Sequence, residues 1–189
     1  LLLLSALPAT AQDIQMQFVA FNDDESQLLV KVTNPNLGNS LQIREVGTNA
    51  VKKAYLAESK SAEQKLRKRL KRRFPKEGIV DQAGPRGRGT VMGAPDGTGG
   101  YNVLIMKDNR VGILGTIPLK VDKKDPANKA KGMLKEVIWS DNGTQIVVVL
   151  NQKLDEKGAT SRVDDLHYFQ YRSWDIKWLK HADTATGDM

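Results

Sequence analysis

The chain runs to 189 residues, with 29 Lys or Arg against 22 Asp or Glu, a net charge of +7 and no cysteine. The missing thiols exclude disulfides, thiolate metal sites, a Cys nucleophile and a lipid-modified Cys anchor. The length suits one domain or two very small ones and can bury a core without a metal or disulfide staple.

The first element is LLLLSALPATAQ. An apolar run from Leu1 to Leu7, the helix breaker Pro8 and the small-x-small triplet Ala9-Thr10-Ala11 have the form of a signal-peptide h-region and cleavage site. The expectation is a secretory signal over residues 1–11, truncated at its start and cut between Ala11 and Gln12. A periplasmic or secreted location follows, and a cysteine-free chain suits a bacterial envelope. No later stretch reaches the ~18 consecutive apolar residues of a membrane span.

Residues 12–56 read as a first β repeat. FVAFNDDESQLLVKVTN (18–34) gives strand, acidic turn, strand, and LQIREV (41–46), a Gly47-Thr48-Asn49 turn and VKKAYL (51–56) give a second hairpin. The first of these aligns with EVIWSDNGTQIVVVLNQ (136–152) at a constant offset of 118: Phe21 on Trp139, Asp23 on Asp141, Gln27 on Gln145, Val30 on Val148.

Residues 57–75 predict a helix ended by Pro75. Ala62, Leu66, Leu70 and Phe74 recur every fourth residue as one narrow apolar stripe. Lys60 to Lys76 holds nine basic residues and one acid, Glu63, so the rest of the chain sums to −1. Lys65, Lys68, Arg69, Lys71, Arg72 and Arg73 are the candidate anion- or partner-binding residues. The alternative is a merely solvated helix face.

Residues 76–100 are glycine-rich and read as a flexible loop. Gly84-Pro85-Arg86-Gly87-Arg88-Gly89 lacks the Gly-Lys-Ser/Thr ending of a phosphate loop. Residues 101–179 then hold a central hairpin, YNVLIMKDNRVGILGTIPL (101–119), and the second β repeat. In that repeat LHYFQY (166–171) and WDIKWL (174–179) form the last strand pair, with Trp174, Ile176 and Trp178 on one face. That face is either core or an exposed platform for stacking sugars. Residues 180–189 are a polar tail.

WSDNGTQIVVV resembles the first hairpin of a blade in WD-repeat and Tol-B-like β-propellers. The resemblance covers residues 18–56 and 136–179 and implies a fold without implying an activity. Such propellers typically close with four to eight blades, and this chain supplies two. The layout is also similar to that of predicted secreted bacterial proteins of unknown function. The expected fold is therefore mainly β: antiparallel blade-like sheets, as a propeller fragment or a sandwich-like pair, with one inserted basic amphipathic helix.

Catalytic signals are sparse. His167 shares a strand face with Phe169 and Tyr171, His181 lies in the tail, and no serine sits in a Gly-x-Ser-x-Gly elbow. Neither histidine has a second His at metal spacing, so no metal, cofactor or catalytic residue is assigned. The expectation is a non-catalytic binding or scaffolding protein of the bacterial envelope. Its partner would be an envelope protein or an anionic lipid or glycan, with peripheral membrane contact and no intracellular nucleic acid. The alternatives are a hydrolase or glycan-processing enzyme with its site near Asp164, Asp165 and His167, and a structural subunit of a larger assembly.

Overall fold

The computed structural model describes residues 13–121, 125, 127–156 and 159–179. The expected signal at 1–11 and the tail at 180–189, with His181, lie outside the described residues. Among the described residues the protein is mainly β, 60% strand, with one α-helix and no sheet closed into a barrel. The strands are β1 (Asp13–Phe21), β2 (Gln27–Asn34), β3 (Gly38–Glu45), β4 (Val51–Ala57), β5 (Ile79–Val80), β6 (Ala83–Gly84), β7 (Gly89–Pro95), β8 (Gly100–Lys107), β9 (Arg110–Pro118), β10 (Lys131–Trp139), β11 (Gln145–Glu156), β12 (Ala159–Gln170) and β13 (Lys177–Trp178). The helix α1 (Lys60–Lys71) follows β4.

One sheet has the order β4-β3-β2-β1-β12-β11-β10-β5, and the other β13-β9-β8-β7-β6. The larger sheet has two antiparallel halves joined by a short parallel bridge, Asp13 to Arg162 and Ile14 to Val163. Beyond that bridge the halves pack on each other. Phe18, Phe21, Leu28, Val30 and Val32 of the first half meet Ile138, Val147, Val149 and Leu166 of the second. The opposite face of the second half buries Trp139, Ile146, Val148 and Leu150 against Val91, Tyr101, Val103 and Ile105 of the smaller sheet. The opposite face of the first half buries Ala20, Leu29, Leu41 and Ile43 under Leu70 and Phe74. The layers thus run helix, first half, second half, smaller sheet. β11 is apolar on both faces, Ile146-Val147-Val148-Val149-Leu150, because both faces are covered.

The two aligned hairpins share one turn, bond for bond. Asn22 N–H donates to Gln27 O and Ser140 N–H to Gln145 O, both at 3.0 Å. In return Gln27 N–H donates to Asn22 Oδ1 and Gln145 N–H to Ser140 Oγ. Ser26 and Thr144 donate both N–H and hydroxyl to Asp24 Oδ1 and Asn142 Oδ1. Glu25 and Gly143, again 118 apart, both take positive φ, 58° and 69°. The central hairpin turns on Asp108-Asn109, both at positive φ, the two-residue loop that suits the strand twist.

Three expectations need correction. The last strand pair does not form: β13 joins β9 in the smaller sheet, because β1 occupies the edge of β12 that a fourth strand would need. Trp174 then falls in a turn, 80% exposed, while Ile176 is buried and Trp178 packs partly on the core. The glycine-rich stretch 76–100 is not a flexible loop, since it holds β5, β6 and β7. Its glycines permit close approach: a Cβ on Gly89, at φ +112°, would stand 2.7 Å from Met106 O. The helix spans Lys60–Lys71 and not 57–75, because Ala57 completes β4 opposite Asn39 and Ser59 caps the helix.

Candidate functional site

Two places gather the residues that sequence reading singled out. The first is α1. The Ser59 side chain accepts the Ala62 N–H at 3.1 Å, satisfying one of the helix's open donors. The stripe expected from sequence faces inward, with Leu70 and Phe74 buried and Leu66 packed beside them. Lys68, Arg69 and Lys71 fill the last turn, where positive charge complements the helix dipole.

Glu63 ties the helix to the sheet, 2.9 Å from Lys31 Nζ on β2 and 2.9 Å from Arg67 Nε. Burial acts to raise its carboxyl, but the hydrogen bonds and charges of Lys31 and Arg67 outweigh that and hold it below its ordinary value. Arg67 is thereby committed to the fold. Lys65, Lys68, Arg69, Lys71, Arg72 and Arg73 all remain exposed, and none forms an ion pair among the described residues. Two are positioned by softer contacts. The Arg69 guanidinium lies 5.3 Å from the Tyr55 ring centre, which Lys53 Nζ also approaches at 5.1 Å. Arg73 donates to Gln27 Oε1 at 2.8 Å.

The second place is an open cleft of about 440 Å³ where the Gly47–Asn49 turn, the end of β9 (Thr116–Pro118) and Asp165–Phe169 of β12 converge. His167 Nε2 is buried without a hydrogen-bond partner among the described residues, and Asp165 Oδ2 stands 3.6 Å away. Burial lowers the imidazole's proton affinity more than Asp165 raises it. Behind the turn, buried Arg44 donates to Gln42 Oε1 (2.6 and 3.0 Å) and to Asn49 Oδ1 (2.8 Å). The Tyr168 hydroxyl also donates to Asn49 Oδ1, and burial pushes its proton affinity up.

Asp164 does not join this cleft. Strand alternation turns it to the other face, where it is buried and accepts from Lys135 Nζ (2.6 Å), Asn151 Nδ2 (2.7 Å) and Met16 N–H (2.9 Å). The lining contains no serine, and its threonine hydroxyls donate elsewhere, Thr48 to Glu45 and Thr116 to Asn102. Among the described residues no three metal-ligating side chains gather. Sequence reading missed Asn49 and Thr116–Pro118 as neighbours of His167. Turn and strand-end residues carry no signal for a meeting of elements so distant in the chain.

Fold and helix together define a mainly β protein that presents one cationic helical surface. Compared with protein-family models, with curated proteins and with solved structures, the chain matches none.

Proposed function

We propose that this is an exported, non-catalytic binding or scaffolding protein of the bacterial envelope that holds an anionic partner on α1. The observation that carries the reading is the array of six exposed cations left outside any ion pair among the described residues, four on a helix whose inner face is firmly docked and two, Arg72 and Arg73, just past its end. Each Lys or Arg near an anionic membrane surface is worth about 1 kcal/mol, and such attraction is screened within roughly 10 Å at ordinary salt. Export rests on the Leu1–Gln12 pattern. The scaffold is read as sandwich-like or as a propeller fragment, a reading supported by the face-to-face layers and the shared hairpin turn.

The test is capture from envelope extract. R69E/R72E/R73E should lose partner binding on the order of a hundredfold with its circular dichroism unchanged. Binding that resists both the substitutions and added salt would overturn the reading. A second reading, a hydrolase at the His167 cleft, is favoured by the Asp165–His167 pair alone. Hydrolysis of chromogenic esters or glycosides that disappears in H167A would establish it.

A further inference from the structure

β4 closes one edge of the larger sheet, and no strand among the described residues lies beyond it. That edge strand carries Leu56 at 70% and Val51 at 50% exposure, and the turn between β2 and β3 carries Leu37 at 76%. Pairing of Asn39 with Ala57 and Ser40 with Leu56 brings the turn holding Leu37 to the same end of β4 as Leu56. Val51 stands alone at the other end of β4, so Leu37 and Leu56 are the pair of open aliphatic side chains at one corner of the sheet.

The cations of α1 are arranged around the same edge. Lys65 and Arg69, four residues apart, share one side of the helix, and the C-cap Arg72 follows three residues on with αR backbone angles. The seat of Arg69 over Tyr55, a β4 residue, identifies that side as the one above the edge. Lys53 approaches Tyr55 as well and adds a fourth positive charge, while Lys52 is paired with Glu45 at 3.1 Å. Glu58 is the only acid between Leu56 and the helix.

We propose that this edge docks on an anionic lipid bilayer, with Leu37 and Leu56 entering the interface and Lys53, Lys65, Arg69 and Arg72 pairing with headgroups. The proposal rests on the anion-binding reading of α1 and names the partner. Charge complementarity favours the bilayer, and so does the mixture itself: Tyr55 faces α1 with Lys53 and Arg69 beside it, while Leu56 alternates to the other face of β4, so a bilayer met edge-on receives cations on one side of the strand and an apolar tip on the other. An extended acidic strand added to β4 would satisfy the edge backbone but leave Leu37, in its turn, uncovered. Lysines on an edge strand also oppose strand addition.

The experiment compares the whole chain with L37S/L56S, in which both replaced side chains are exposed. It uses co-sedimentation with phosphatidylglycerol vesicles, with phosphatidylcholine vesicles, and titration with soluble inorganic polyphosphate. The unsubstituted chain should bind phosphatidylglycerol and not phosphatidylcholine. L37S/L56S should weaken vesicle binding at least about tenfold while holding polyphosphate equally well. Equal vesicle binding by L37S/L56S would overturn the insertion. Binding to polyphosphate but not to phosphatidylglycerol would overturn the lipid partner and leave the anion reading standing, and binding to neither would end both. Self-association abolished in L37S/L56S, without lipid binding, would assign the edge to a second copy instead.

Discussion

Asp164 and His167 lie on opposite faces of β12, and the two faces treat a polar group differently. Asp164 is surrounded by three donors, whereas His167 Nε2 has no hydrogen-bond partner among the described residues. The fold therefore favours neutral imidazole, and the His167 proton is held more weakly than at its ordinary value of 6.5. The unfolded chain binds that proton more readily, so this contribution to stability is present above about pH 6.5 and is lost as pH falls through the folded value. Thermal unfolding should show a Tm that drops between about pH 7.5 and pH 5, and the drop should shrink in H167Q. An unchanged slope would mean that the imidazole is solvated. Alternation alone places His167 beside Phe169 and Tyr171, but the bare Nε2 depends on which distant side chains fail to reach it.

At the scale of elements, the helix was the most readable part. Its every-fourth apolar stripe specifies the docked face, but the helix ends at Lys71 with Arg72 as its C-cap, before Pro75 is reached. Its start was not readable, since Ala57 is a strong helix former and only pairing with Asn39 overrides that preference. Phe74 sits just past the helix, 3% exposed, and closes the core beneath it. F74A should cost about 3–5 kcal/mol in chemical denaturation and loosen α1, seen as faster amide exchange from Ala62 to Leu70. Retention of full protection would show that Glu63 and its two cations suffice. The glycine-rich stretch misled for a related reason: glycine in a linker and glycine in a crowded strand look alike in sequence. A Cβ on Gly93 would collide with the Tyr101 ring, so this glycine makes room for an aromatic.

For the whole molecule, β11 is the shared wall. Val147 and Val149 face the first half of the larger sheet, and Ile146, Val148 and Leu150 face the smaller sheet. Neither core survives without it, so the layers should unfold together. Far-ultraviolet circular dichroism and tryptophan fluorescence should give one coincident transition. V147A and V148A, each opening a different core, should both lower it by roughly 1–3 kcal/mol. Two separated transitions would show that the layers are independent. Composition, alternation and turn chemistry were enough to specify a mainly β chain, the paired hairpins and the cationic helix, because each depends on neighbours a few residues away. Which edge β1 would take, which sheet would claim Trp178, and how Arg69 came to lie over Tyr55 of β4 were settled only on folding. Those outcomes depend on competition among strands for partners far along the chain, and local pattern carries no record of that competition.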